Sequence, residues 1–186
     1  IIKNNIWFLG YFQSPKYFLN YQKNLLKELK PPIPKQKKFI EMGKLIRKSN
    51  SVALGIRLYE ESKNPNSHAN EGKLKTTKDI NIVINEIIEK IPDARFFVFC
   101  TFRAPFLEKL KLPENSIFLT HDDGYEGTIE RLWLLSQCRN HVFNNSSFYW
   151  WGAFLSKEYY DPSEQIIYYA NNFKNRDSAI ETWISF

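Results

Sequence analysis

The chain has 186 residues, 43% of them hydrophobic and 16% aromatic, which is enough to bury one sizeable core and too apolar for a disordered chain. No internal repeat is visible, and no apolar run approaches the roughly 20 residues needed to span a bilayer. The formal net charge of +6 favours an anionic partner: a phosphorylated ligand, an acidic membrane surface or nucleic acid. Lys, Asn and Ile are abundant throughout, so a general compositional bias accounts for part of that excess.

The opening IIKNNIWFLGYF lacks the layout of a secretory signal, and because the chain begins at Ile1 an upstream segment is expected. Residues 1–30 read as a short apolar segment, a polar turn at Gln13-Ser14-Pro15 and an amphipathic helix carrying Leu19, Leu25, Leu26 and Leu29, which PPIP at 31–34 breaks. PKQKKF at 34–39 reads as a solvated stretch, followed by a helix around Phe39 to Ile46. SVALGIRLY at 51–59 is short, apolar and bounded by polar residues, the pattern of a buried strand. Residues 61–75 are polar and rich in turn formers, and read as a surface loop.

The clearest helix follows. Ile80, Val83, Ile84, Ile87, Ile88 and Ile91 recur at helical spacing, opened by Thr76 with Asp79 three residues on and closed by Pro92. RFFVFC is a second strand, Pro105 to Leu110 a helix, SIFLT at 116–120 a third strand, Thr128 to Cys138 a helix, and HVFNN at 141–145 a fourth strand. A helix over Ser147 to Leu155, a final strand IIYY at 166–169 and a terminal helix over Ser178 to Ile184 complete the chain. Strands alternating with helices imply an α/β fold with a Rossmann-like, mostly parallel sheet, in which ligands sit beyond the carboxyl ends of the strands. Cys100 and Cys138 have no metal-ligand spacing and read as reduced core residues, which suits a reducing compartment.

Two elements fall at such strand ends. Arg57 ends the first strand, where its fork of donors suits a phosphate, although a structural ion pair to Glu60 or Glu61 would leave the same sequence trace. After HVFNN, Ser146 or Ser147 can cap the next helix, whose free amides and dipole form an anion site. Phe148, Tyr149, Trp150 and Trp151 read mainly as packing, with Gly152 and Ala153 letting the helix approach the sheet. His121-Asp122-Asp123-Gly124 brings an imidazole and two carboxylates together but reads as a polar turn; His68 and His141 read as non-catalytic.

TIERLWLLSQCRNHVFNNSSFYWWGAFLS resembles the corresponding segment of the α-1,2-fucosyltransferases, which ends in an SSFSWWGA-like run. GYFQSPKYF at 10–18 is similar to a Gly-Tyr-x-Gln-Ser stretch of that family, SVALGIRLYEE stands in the place of its His-x-Arg-Arg-x-Asp motif, and Trp183 resembles a late tryptophan. The resemblance implies the donor-binding half of a GT-B glycosyltransferase. Residues 1–186 would form that single domain, with a helical lead-in at about 1–48 and the acceptor-side half absent. It implies transfer of L-fucose from GDP-fucose to the 2-hydroxyl of a galactoside, with inversion and without a metal ion. The partners implied are the nucleotide sugar and a galactose-containing glycan, without nucleic acid. The setting implied is cytoplasmic or peripheral to the inner membrane in a bacterium, and the Golgi lumen in a eukaryote.

By the same resemblance Arg57 contacts the β-phosphate and is the catalytic residue, Ser146 and Ser147 hold the diphosphate, and Gly55, Asn145 and Phe148 join the donor site. Glu130 stands next to a guanine-contacting acidic position, with Arg131 aligned on the position itself. The chain departs from the family at Gly55 for histidine, Leu58 for arginine, Tyr59 for glycine and Glu60 for aspartate. Phe99-Cys100-Thr101-Phe102 replaces a run ending in two aspartates.

Overall fold

A computed structural model describes residues 9, 14–59, 74–172, 176–178 and 180–186, with the side chains of Leu19 and Arg176 not described. Glu60, His68, most of the 61–75 stretch and residues 10–13 of GYFQSPKYF lie outside the described residues. Six strands form one parallel sheet: β1 (Asn50–Gly55), β2 (Ala94–Phe99), β3 (Ile117–Phe118), β4 (Asn140–Phe143), β5 (Ile167–Tyr169) and β6 (Ile184–Ser185), in the order β3-β2-β1-β4-β5-β6. The helices are α1 (Gln22–Glu28), α2 (Lys37–Lys48), α3 (Thr77–Lys90), α4 (Pro105–Glu108), α5 (Thr128–Ser136) and α6 (Ser147–Leu155). The α/β class with a Rossmann-like sheet is what the strand and helix alternation requires, since parallel neighbours need crossovers.

Strand periodicity divides the core into two layers. On one face Ala53, Phe97, Phe99, Phe143 and Ile167 pack against α2, α5 and α6; on the other Val52, Leu54, Phe96, Val98, Val142 and Tyr168 pack against α3 and α4. The α3 capping box forms as its sequence predicts: the Asp79 amide donates to Thr76 Oγ1 at 3.2 Å and the Thr76 amide to Asp79 Oδ2 at 3.0 Å. The Thr76 hydroxyl, donating to Asp79 Oδ2 at 2.7 Å, and then the Thr76 amide hold the Asp79 carboxyl below its ordinary range. Cys100 and Cys138 are buried and form no disulfide, and burial pushes the Cys138 thiol up.

Two expected helices differ. The lead-in helix is shorter than its apolar pattern suggests: 3₁₀ turns at Pro15–Tyr17 and Leu19–Tyr21 precede α1. The terminal segment is not a helix. A 3₁₀ turn at Arg176–Ser178 is followed by β6, which extends the sheet by pairing Tyr168 with Ile184 and Tyr169 with Ser185. Trp183 explains the difference: it is buried against Phe143, Trp150 and Tyr169, and seating it there draws the last residues alongside β5.

His141 lies within β4, fully enclosed, with Nε2 donating to the Cys138 carbonyl at 3.1 Å. Burial lowers its pKa from 6.5 to about 3, so the folded chain keeps it neutral while the unfolded chain takes up a proton below pH 6.5. Its stabilising contribution is therefore complete above that pH and falls by up to about 1.4 kcal/mol per unit as pH drops towards the folded value. Urea unfolding should show this slope between pH 6.5 and 5, and His141→Gln should flatten it. A wild-type stability that stays level across that window would contradict the assignment.

Candidate functional site

Strands β1 and β4 are neighbours at the centre of the sheet, yet the chain leaves β1 towards β2 on one side and β4 towards β5 on the other. At such a reversal the connections diverge and leave a crevice beyond the carboxyl ends, the usual place for a ligand in an open parallel sheet. Gly55 and Phe143 are paired at its floor.

The chain enters the crevice from β1 earlier than predicted. Strand pairing stops at Gly55, not Tyr59, although the Ile56 amide still donates to the Phe99 carbonyl at 2.8 Å. Past that point a side chain replaces the ladder. Asn144, directly after β4 and only 1% exposed, accepts from the Arg57 amide through Oδ1 at 2.8 Å and donates through Nδ2 to the Arg57 carbonyl at 2.8 Å. Its own amide donates to the Gly55 carbonyl at 3.3 Å. One asparagine thereby satisfies both backbone groups of Arg57 and ties the two strand ends together.

The half-buried Arg57 guanidinium lies over the Tyr59 ring, 4.8 Å from its centroid, and the Tyr59 hydroxyl donates to the Asn145 carbonyl at 3.1 Å. Tyr59 has φ of +59°, in the left-handed region that costs a non-glycine residue about 1–2 kcal/mol. The ring stack and the phenol bond offset that strain.

Helix α6 starts on the opposite wall. Ser146 occupies the N-cap position, with φ −154° and ψ 124°, but its side chain makes no capping bond. The expected serine cap is therefore not formed. The first amides of this nine-residue helix have no intrahelical acceptor, and the positive end of its dipole faces outward from β4. Asn145, Ser146, Ser147 and Phe148 are all half-buried, so hydroxyls and amides reach the crevice while the helix stays anchored. The anchor is aromatic: Trp150 is completely buried, stacks on Phe154 at 5.4 Å and 7°, and donates from Nε1 to the Ser178 carbonyl at 2.9 Å. Gly152 serves a different neighbour from the one its size suggested. A Cβ there would meet Leu135 Cβ at 2.8 Å, so it admits close packing against α5 rather than against the sheet.

Tyr149 reaches back to the strands. Its hydroxyl lies 3.1 Å from the Ile56 carbonyl and 2.9 Å from the Phe99 carbonyl, and its ring covers Gly55 so closely that a Cβ at residue 55 would sit 2.5 Å from the ring carbon Cγ. Residues 55, 56 and 57 are thus each held by Asn144 or Tyr149. Asn144 escaped sequence reasoning because an Asn-Asn pair after a strand does not reveal which side chain turns inward; Tyr149 was legible only as packing.

Gly55, Arg57, Asn145, Ser146, Ser147 and Phe148 are therefore drawn to one crevice. Glu130 belongs to a different element. It lies in the first turn of α5, beyond β3, with its carboxylate folded over Gly127, whose φ is +98°. Arg131 is buried and committed to structure: Nη2 donates to the Cys100 carbonyl at 2.7 Å and Nη1 to His121 Nε2 at 3.2 Å. Because arginine only donates, His121 presents its lone pair to it.

Residues 121–124 form the expected polar turn. Arg103 engages Asp123 with Nη2 to Oδ1 at 2.7 Å and Nε to Oδ2 at 3.1 Å, and packs 3.9 Å over the Phe118 ring; Thr120 Oγ1 donates to Asp123 Oδ2 at 2.5 Å. Despite burial that raises it, those bonds hold the Asp123 carboxyl below its ordinary value. Among the described residues no group of three or more His, Cys, Asp and Glu side chains could hold a metal ion.

Comparison with known proteins gives this crevice a context. Residues 2–184 match Glycosyl transferase family 11. The chain is 33% identical over 158 residues to the alpha-1,2-colitosyltransferase of Escherichia coli, a match covering 83% of this chain and 52% of that protein. It thus spans about half the length of this curated relative. No solved structure matches the chain. With a parallel sheet of the expected kind and a family match over nearly its whole length, the chain belongs to glycosyl transferase family 11.

Proposed function

We propose that this chain is the donor-binding half of a glycosyltransferase that moves L-fucose, with inversion, from GDP-fucose to the 2-hydroxyl of a galactoside. One observation carries the reading: Arg57 and the amino end of α6 face one crevice, coupled through Asn144. As the bond between sugar and phosphate lengthens, negative charge gathers on the departing diphosphate. A guanidinium from one wall and helix-terminal amides with the Ser146 and Ser147 hydroxyls from the other stabilise that charge as it develops, and a single preorganised donor of this kind contributes about 3 kcal/mol. These groups supply the positive potential that a divalent ion supplies in other transferases, so the reading calls for no metal.

A donor other than fucose is the second reading. It is favoured by the relative named for colitosyl transfer and by the departures at Gly55, Leu58 and Tyr59 beside the crevice. Thermal unfolding in the presence of GDP-fucose, GDP-colitose, GDP-mannose and UDP-galactose separates the two. The proposal predicts the largest rise in Tm with GDP-fucose, together with transfer to a galactoside acceptor once the acceptor-binding half is present. A larger rise with GDP-colitose would move the assignment to the second reading, and a preference for the uridine nucleotide would reject both.

A further inference from the structure

The charge of this chain is not spread evenly. Residues 16–48 hold ten Lys and Arg against two Glu, a net +8, whereas the whole chain has 26 against 20; the remainder, 16 against 18, is net −2. All ten cations are exposed. Three of them are ion-paired, Lys16 with Asp177, Lys30 with Glu158 and Lys37 with Glu41. No ion pair among the described residues engages Lys23, Lys27 or Lys35.

Helices α1 and α2 both turn their apolar residues inward on the same aromatic core, Leu25 and Leu26 from one and Phe39, Met42 and Ile46 from the other. Their outer surfaces consequently lie on one side of the sheet. The same segment, residues 16–48, also exposes large apolar groups: Tyr17 is 64% exposed, Tyr21 68%, Leu29 43% and Ile33 71%. Phe18, one place from Tyr17 and three from Tyr21, is buried in the core, whereas these side chains are exposed. Lysines interleaved with tyrosines and aliphatic residues fit a surface that is anionic outside and apolar beneath.

We propose that the α1–α2 surface docks on an anionic phospholipid membrane, with the lysines against headgroup phosphates and Ile33, Leu29 and the two tyrosines in the headgroup boundary. Nucleic acid satisfies the lysines but offers little to Ile33 and Leu29, which cannot stack on bases. The crevice lies beyond the carboxyl ends of β1 and β4 and is formed by none of these residues.

Vesicle co-sedimentation tests this directly, using phosphatidylcholine vesicles with and without phosphatidylglycerol. Binding is expected only with phosphatidylglycerol and should fall steeply between low salt and about 0.5 M salt. Neutralising Lys23, Lys27 and Lys35 together to Gln should weaken it about a hundredfold, from roughly fivefold per lysine near an anionic surface. Ile33→Ser should weaken it at unchanged charge. Equal binding to both vesicle types, no binding to either, a triple variant that binds as the wild type does, or tighter binding to duplex DNA than to the anionic vesicles would overturn the proposal.

Discussion

Replacing Arg57 with alanine is expected to weaken GDP binding by about 2 kcal/mol, roughly thirtyfold, and to slow glycosyl transfer about a hundredfold. Guanosine affinity should be unchanged, because the guanidinium is assigned to the pyrophosphate alone. The comparison of GDP with guanosine by calorimetry isolates that contribution. Asn144→Ala should reproduce much of the GDP defect with the guanidinium still present. It removes the acceptor for the Arg57 amide and the donor to the Arg57 carbonyl, each at 2.8 Å, and releases the segment that aims the side chain. Leaving these enclosed backbone groups unpaired should also lower stability by about 2 kcal/mol. An Asn144→Ala protein that binds GDP as tightly as the wild type would show that Arg57 needs no such clamp.

The second large effect belongs to Gly55 and Tyr149. A methyl at residue 55 would lie 2.5–2.8 Å from three atoms of the Tyr149 ring, too close for any carbon contact, so Gly55→Ala should cost about 1–3 kcal/mol as the ring is forced aside. Tyr149→Ala should cost about 3–5 kcal/mol, because the ring is 5% exposed and its hydroxyl bridges the ends of β1 and β2. The double variant should be less destabilised than the sum of the two, by about 1–2 kcal/mol, since the methyl then occupies space the ring has vacated. Urea unfolding of the four proteins measures the coupling. Strict additivity would mean that ring and glycine do not constrain one another. The bulky tyrosine is compatible only with glycine beneath it.

The sequence made the architecture legible wherever a local pattern and a local cause coincide. Ile80 to Ile87 with the Thr76–Asp79 box define α3 without tertiary information, and the apolar runs of β1, β2 and β4 declare themselves as buried strands. It failed where long-range packing decides. Trp183 pulls the terminal residues into β6 against a pattern that also fits a helix, and Asn144 rather than further strand pairing receives Arg57. The placement of Arg57 and of Ser146 and Ser147 beyond strand ends was legible because both segments follow strands of a parallel sheet; the adjacency of those two strands was not, since chain order places β2 and β3 between them. The uncapped state of Ser146 was equally hidden, because the same residue type serves a cap and a ligand.

The most direct measurement is diffraction from crystals of this protein grown or soaked with GDP. The account predicts pyrophosphate density between the Arg57 guanidinium and the first amides of α6, with the Ser146 or Ser147 hydroxyl in contact. Pyrophosphate bound elsewhere on the molecule, or an empty crevice at GDP concentrations that saturate binding in solution, would contradict it.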